Sequence, residues 1–405
     1  MNSACPQTKG VHGAAVNIPL TLLVVFGAAK LLSEIFERLG QPGIVGEIIA
    51  GALIGPGMLG WIAPNEVLRT LSDLGVMFLL FRVGLEVKTS ELMRVGFTAT
   101  LVATVGVIVP LLAGWGIMAL WHAPRVEALF VAAAMVATSV GITAQVLAAR
   151  GVLEQRASRI ILAAAVIDDV LGLIVLAIVT GISQGKLNVA DVLITSGLAI
   201  GFTVAVALFG THAVGRLMIR AENRLKLGEV QFTVSMVVLF GLALLATYAG
   251  VAAIVGAFLA GMSLAESVGE RLRVMTNGVA ELLVPFFLAG IGLHLNLRVF
   301  ANRDTILLAV VILAAAIVSK LIGCGLGAAT YGWADMLRIG VGMIPRGEVG
   351  MVVAQIGQRM GIIPAPVYGV VVFMAVATTL VAPPLLALAY RGVERGPAVE
   401  ELQIG

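Results

Sequence analysis

The chain has 405 residues, of which 60% are apolar and 12% charged, and it carries a formal net charge of +3 at pH 7. Soluble domains are roughly a quarter charged, so this composition excludes a soluble enzyme, a disordered chain and a nucleic-acid binder. A mean hydropathy of +1.05 indicates an all-α polytopic membrane protein with the lipid bilayer as its surroundings.

About thirteen apolar segments follow one another along the chain, and a membrane helix needs about 20 residues. In chain order they are 17–36, 43–57, 67–85, 96–120, 126–148, 157–182, 190–214, 230–249, 251–265, 279–295, 305–331, 334–358 and 364–390. The second and the ninth segments are short for a span, which predicts tilted or partly re-entrant helices.

The Lys and Arg residues in the loops and near the ends of these segments divide unevenly between the two sides, six on one side against sixteen on the other. Short loops that are rich in basic residues stay in the cytoplasm. The count therefore predicts an N-terminus outside the cell and a cytoplasmic C-terminus, with residues 391–405 as a short cytoplasmic tail.

Short patterns recur in the same order at nearly one offset, between 208 and 210 residues. The matched positions are Gly51 with Gly261, Gly84 with Gly292, and Gly141 with Gly350. The offset spans seven predicted helices, an odd number, so the second copy is inverted. We predict a first repeat over 17–183, a linking helix over 190–214 and a second repeat over 228–390. Paired inverted repeats are typical of secondary transporters.

Asp168 and Asp169 lie in the middle of an apolar segment, where ionised groups are costly and usually functional. Neighbouring acids in a low dielectric cannot both ionise cheaply, so a proton and a bare cation can compete for one oxygen pair. The alternative is a structural, fully hydrogen-bonded pair. Lys320 lies inside the segment 305–331 and needs a carboxylate, for which this acid pair is the natural partner. Its alternative is snorkelling towards the membrane surface.

Two segments contain residues that break a helix at membrane depth, 126–148 and 334–358. Thr138 and Ser139 lie in the first, where their hydroxyls are candidate cation ligands unless they bond back within a helix. Pro345 lies in the second, between two glycines, with Arg346 and Glu348 as a local charge pair. Paired broken helices at equivalent places in two repeats indicate a transport site at the midplane.

Glu47 lies near the start of a short helix, which favours a structural or gating role over transport. The four His residues are dispersed and suggest no resident metal site. The sequence also has no nucleotide-binding or hydrolase motif. We therefore expect neither an enzyme nor a cofactor, with the transported ions as the ligands.

The run Ala164–Ile174 around the two aspartates, and Ala137–Ala144 before it, resemble bacterial sodium/proton antiporters of the monovalent cation:proton antiporter-2 family, NapA type. The runs Pro345–Gly350 and Ile44–Gly51 also match patterns of that family. The resemblance covers nearly the whole chain. It implies thirteen helices in inverted repeats, a homodimer in the bacterial plasma membrane, and elevator-like alternating access.

By the same resemblance, Asp169 is the essential carrier of sodium and protons, and Asp168 is the partner of Lys320 in an ion pair that sodium binding breaks. Thr138 and Ser139 correspond to ligands in an unwound helix. A double Asp implies electrogenic exchange. The related potassium-efflux systems carry a nucleotide-binding regulatory domain, which we do not expect in this chain.

The sequence thus predicts an antiporter that exchanges inward protons for outward sodium, with lithium as a further substrate. One alternative is a potassium/proton antiporter or efflux system of the same fold. The other is a sodium-coupled symporter of an organic anion, although an anion site favours basic groups over two carboxylates.

Overall fold

The computed structural model describes residues 17–39, 41–87, 94–183, 189–224, 229–295, 300 and 302–393. Within these residues the regular structure is entirely helical. Numbered in chain order, the helices are α1 Ile18–Arg38, α2 Gly43–Ile54, α3 Glu66–Glu86, α4 Gly96–Leu120, α5 Arg125–Val136, α6 Val140–Ala149, α7 Arg156–Ser183, α8 Val189–Arg224, α9 Val230–Tyr248, α10 Ala253–Leu264, α11 Glu270–Leu293, α12 Arg303–Gly327, α13 Trp333–Gly342, α14 Glu348–Arg359 and α15 Ala365–Ala389. A 3₁₀ turn, Ala329–Tyr331, follows α12.

The all-helical membrane fold predicted from the sequence is confirmed. Nine stretches of the described residues are long and apolar enough to cross a membrane. The two predicted short helices are also present, because α2 and α10 have 12 residues each. At 1.5 Å per residue they reach about 18 Å, well short of a hydrocarbon core of about 30 Å.

Two helices extend beyond the predicted apolar segments. Helix α8 continues to Arg224 rather than ending at Val214, and α11 begins at Glu270 rather than Val279. The added turns contain charged residues such as Arg216 and Arg273. Hydropathy marks the part of a helix that lies in lipid, whereas charged turns continue the same helix beyond it.

The helices form two groups, each held together by its own contacts. The core bundle consists of α4, α5, α6, α7, α12, α13, α14 and α15, in which α4 packs against α5, α7 and α12. The support bundle consists of α1, α2, α3, α9, α10 and α11, in which α3 packs against α10 and α11. The bundles meet where α3 contacts α6 and where α2 contacts α15. Helix α8 contacts α7 in the core bundle and both α9 and α10 in the support bundle.

Glycines allow the backbones of the support bundle to touch. Gly51 of α2 lies against the carbonyl of Ala289 in α11, and a Cβ at this position would overlap that carbonyl. Gly261 of α10 lies in the same way against the carbonyl of Phe81 in α3. Gly51 and Gly261 are partners in the predicted repeat, and two copies of one unit would make such matching contacts. The division of the chain into repeats and a linking helix remains a prediction.

Candidate ion-binding site

The two aspartates predicted to carry ions lie in the middle of α7, the longest helix of the core bundle. Asp168 is 0% exposed and Asp169 is 6% exposed. Successive residues of a helix point about 100° apart, so the two carboxylates face different neighbours. The sequence around them is apolar. Helix α7 packs against α4, α5 and α13, and this packing buries the middle of the helix.

Lys320 of α12 faces Asp168. Its Nζ lies 2.9 Å from Oδ1 of Asp168, and both side chains are fully buried. Lys320 is seven residues before the end of α12 at Gly327, closer to a helix end than the apolar segment 305–331 suggests. It nevertheless turns inward, so the structure does not show the snorkelling alternative. The second oxygen of Asp168, Oδ2, is buried without a hydrogen-bond partner among the described residues.

The two predicted breaks are present and lie against each other. The first separates α5 from α6 at residues 137–139, and the second separates α13 from α14 at residues 343–347. The amide of Ser139 donates a 2.8 Å hydrogen bond to the carbonyl of Pro345. The hydroxyl of Thr143 donates to the carbonyl of Gly342 at 2.7 Å. Each break therefore satisfies backbone groups that the other leaves open at membrane depth.

The hydroxyls of Thr138 and Ser139 are buried at the first break. Ala137 and Ser139 have extended backbones, which removes the helical geometry that back-bonding requires. Neither hydroxyl has a hydrogen-bond partner in the part of the chain that the structure describes. Buried oxygens without a donor suit a cation, because hard cations bind carboxylate, hydroxyl and carbonyl oxygens.

A small cavity of about 10 Å³ opens beside Asp169, with a lining that is otherwise apolar. Leu162 and Val166 of α7 and Val140 of α6 belong to the core bundle. The opposite wall comes from the support bundle and consists of Leu80, Val255 and Phe258. A cavity of this size holds about one water molecule. Asp169 therefore lies at the boundary between the two bundles.

Arg346 lies within the second break and is fully buried, at 0% exposure. Its guanidinium donates to the carbonyls of Met343 and Ala316. Thr378 and Thr379 of α15 bind its backbone amide and carbonyl. Neither threonine is among the site residues predicted from the sequence. Two adjacent hydroxyls in an otherwise apolar helix are the signal that would have found them.

Glu47 lies outside this site. It is buried in α2 of the support bundle, and Lys30 of α1 is 3.3 Å from its Oε1. The predicted local pair of Arg346 and Glu348 cannot be described in full, because the Glu348 side chain lies outside the described residues. No group of three or more metal-ligating side chains occurs among the residues that are described.

Comparison with known proteins places these features in a family. Residues 21–390 match the model of the family described as sodium/hydrogen exchanger, transmembrane. The solved structure of the sodium proton antiporter MjNhaP1 from Methanocaldococcus jannaschii has the same fold, with a TM-score of 0.71 at 19% identity. That match covers 93% of this chain and 96% of the other.

Two curated relatives match over almost their whole length. The high-affinity Na⁺/H⁺ antiporter NhaS3 of Synechocystis is 35% identical, over 94% of this chain and 92% of the relative. The Na⁺/H⁺-K⁺ antiporter GerN of Bacillus cereus is 31% identical, over 90% of this chain and 94% of the relative. The family resemblance predicted from the sequence is confirmed: the chain is a multi-pass membrane protein that belongs to the sodium/hydrogen exchanger family.

Proposed function

We propose that this protein is a secondary active antiporter that exchanges inward protons for outward sodium, with lithium as a further substrate. The observation that carries the proposal is the buried set of Asp168, Asp169 and Lys320 beside two crossed helix breaks. The relatives NhaS3 and GerN support it, because both are named as Na⁺/H⁺ antiporters and both match this chain over nearly its whole length.

Asp169 is the proposed carrier. Its carboxylate lies beside a cavity large enough for about one water molecule or small ion. A proton neutralises the carboxylate directly, and a sodium ion does so by coordination. Because the site is buried, an ionised Asp169 carboxylate with neither a proton nor a sodium ion bound is costly. One ion therefore leaves as the other arrives. This competition couples the two fluxes.

Asp168 and Lys320 are proposed to add a second proton to the cycle. Sodium needs several oxygen ligands, and Asp168 can offer both of its oxygens only after its pair with Lys320 opens. The hydroxyls of Thr138 and Ser139 would complete the ligand set from the first break. Release of the ammonium proton from Lys320 on sodium binding would make the exchange electrogenic, with more protons moving in than sodium ions out.

Alternating access is proposed to follow from movement of the core bundle against the support bundle. The two bundles touch through α3 with α6 and through α2 with α15, and the Asp169 cavity lies at this boundary. Apart from Asp169, the residues that line the cavity are apolar on both sides, which favours sliding. A rigid displacement would expose Asp169 to one side of the membrane and then to the other, as in an elevator.

We further propose that the protein is a homodimer in the bacterial plasma membrane, with its N-terminus outside and its C-terminus in the cytoplasm. The excess of basic residues in alternate loops supports the orientation. Helices α1 and α8 have exposed apolar faces, which could contact either lipid or a second copy of the chain.

Potassium/proton exchange is the second candidate, because the name of the relative GerN includes potassium. Ion size and the placement of the oxygens decide between sodium and potassium. A sodium-coupled organic-anion symporter is less well supported. The two carboxylates of the described site oppose the binding of an anion.

The test is dissipation of a pH gradient in proteoliposomes on addition of sodium, lithium or potassium. We expect wild type to respond to sodium and lithium, and Asp169→Asn to reduce that response at least 100-fold, to background. Asp304→Asn is the matched control, because it makes the same change at an exposed position at the start of α12.

Each other outcome identifies a different error. Substantial exchange by Asp169→Asn would contradict the role of the carrier. A response to potassium alone would keep the mechanism and replace the substrate. A wild type that responds to no cation, although folded, would contradict the antiporter and favour the symporter.

A further inference from the structure

Helices α1 and α2 of the support bundle enclose a polar cluster that the proposed transport site does not use. Its centre is Glu47 of α2, which is 4% exposed. One carboxylate oxygen of Glu47, Oε1, lies 3.3 Å from Nζ of Lys30 in α1. The other, Oε2, is buried without a hydrogen-bond partner among the described residues. Buried polar atoms are nearly always bonded, so this open acceptor needs an explanation.

Two further oxygen-bearing side chains of α1 face Glu47. Besides Lys30, its carboxylate interacts with Ser33 and with the charge of Glu37. The Ser33 hydroxyl and the Glu37 carboxylate also lie against Gly43, at the start of α2, where a Cβ would overlap both of them. The absence of a side chain at Gly43 therefore lets these oxygens approach α2.

The second predicted repeat packs the equivalent pair of helices, α9 and α10, in the same way. Gly46 of α2 lies against the carbonyl of Leu32 in α1. Its repeat partner Gly256 of α10 lies against the carbonyl of Leu242 in α9, and a Cβ at either glycine would overlap that carbonyl. The two helix pairs thus share one packing contact at matching positions.

The second pair makes this contact without the polar cluster. The positions that correspond to Lys30, Ser33 and Glu47 carry apolar residues there, namely Phe240, Ala243 and Ala257. Packing of the two helices therefore does not require the charges. The polar cluster of α1 and α2 serves something other than the fold.

The composition of the cluster favours a small cation. It has two carboxylates and one ammonium, so Lys30 balances only one of the acids. Hard cations bind carboxylate and hydroxyl oxygens, and two carboxylates of which one is already paired suit a monovalent ion better than a divalent one. Glu37 is exposed in the last turn of α1, so the cluster opens towards the side on which α1 ends.

We propose that Glu47, Ser33 and Glu37 form a second sodium site, separate from the proposed transport site at Asp169. It opens towards the side that the loop charges predict to be the cytoplasm. Sodium bound there joins α1 to α2 and stabilises the support bundle without being carried across the membrane. The proposal does not depend on the antiport function, because this site shares no residue with the core bundle.

The test is binding of radioactive sodium to the purified protein in detergent, in chains that carry Asp169→Asn so that the proposed transport site is disabled. We expect Asp169→Asn alone to keep saturable sodium binding. Adding Glu47→Gln should weaken that binding by about tenfold or more, the effect of losing one contact to a charged group. Adding Gly43→Ala should weaken it too, because the methyl group takes the space beside the Ser33 and Glu37 oxygens while every charge is kept.

Glu34→Gln is the matched control, because Glu34 is also an acid of α1 but pairs with Arg38 at the surface. It should leave sodium binding unchanged. Loss of all sodium binding in Asp169→Asn would overturn the proposal and indicate a proton on Glu47 instead. Binding that survives both Glu47→Gln and Gly43→Ala would overturn it as well, and if Glu47→Gln does not fold, Gly43→Ala decides.

Exchange in proteoliposomes, measured on the wild type, keeps the two proposals apart. A wild type without exchange, in which sodium binding still depends on Glu47, would contradict the antiporter and retain the second site. Normal exchange together with sodium binding that is insensitive to Glu47→Gln would do the reverse.

Discussion

The core bundle and the support bundle are both built from apolar helices, yet they bury different groups. The core bundle encloses Asp168, Asp169, Lys320 and Arg346, and both of its broken helices interrupt the backbone at membrane depth. The support bundle has continuous helices whose backbones touch at glycines such as Gly51 and Gly261. Buried charges and helix breaks thus concentrate in the core bundle, whereas the buried acid described in the support bundle is Glu47, paired with Lys30.

This difference separates two physical demands. Ion exchange needs charges in a low dielectric, and each such charge must be balanced by a partner. The proposed movement of the core bundle needs, on the support bundle, a firm backbone and an apolar face. Dividing the demands between two bundles lets polar groups gather near Asp169 while the wall opposite, at Leu80 and Phe258, stays apolar.

The largest effect that would sharpen the comparison is expected from Lys320→Ala. Its removal leaves the Asp168 carboxylate buried without its partner, which costs about 3–5 kcal/mol of folding free energy. The exchange profile should also shift with pH, because the proposed second proton carrier is gone. Thermal unfolding in detergent and exchange in proteoliposomes measure the two effects.

The double variant Asp168→Asn with Lys320→Met replaces the ion pair by two neutral side chains and should recover most of the stability. Failure to recover it would show that packing rather than charge balance stabilises this part of the core bundle.

A smaller effect is expected in the support bundle from Gly261→Ala. The added Cβ meets the Phe81 carbonyl, which is backbone and cannot rotate away, so overpacking should cost about 1–3 kcal/mol. Gly278→Ala in α11 is the matched control, since a Cβ there meets nothing within 4 Å. The apparent melting temperatures of the two variants should differ clearly. Equal melting temperatures would mean that α3 and α10 can move apart with no loss of folding free energy. Close glycine packing would then not be what stabilises the support bundle.

The smallest effect is expected from Thr379→Val in the core bundle. The change keeps the shape of the side chain but removes the donor to the Arg346 carbonyl, at a cost of about 1 kcal/mol. We expect a modest loss of melting temperature together with slower exchange, because the second break is less firmly held. If the variant lost stability but kept the wild-type exchange rate, the hydrogen bond that holds the second break would not be needed for transport.

Much of the fold could be predicted from the sequence because membrane helices leave a direct hydropathy signal. The breaks were also predictable, since Pro345 and the cluster around Thr138 cannot continue a helix comfortably in lipid. The placement of Lys320 near the two aspartates followed from the need of a buried ammonium for a carboxylate. The resemblance named Asp168 as the partner, and in the structure the Lys320 Nζ lies 2.9 Å from Oδ1 of Asp168.

Other parts could not be predicted because they depend on which helices meet. Two adjacent hydroxyls mark Thr378 and Thr379 as unusual in an apolar helix, but only the second break beside them shows which groups they bind. The apolar wall of the Asp169 cavity comes from α3 and α10, far apart in sequence. The ends of α8 and α11 were missed because charged turns extend a helix beyond its apolar part.

The glycine contacts of the support bundle also bear on how the chain is made. Gly51 meets Ala289, and Phe81 meets Gly261, so residues inserted early find their partners only after most of the chain has left the ribosome. Until α10 and α11 enter the membrane, α2 and α3 lack these partners. Contacts so distant in sequence form slowly. Assembly of this bundle therefore belongs to the last stage of synthesis, and a chain that stops before residue 261 lacks both contacts.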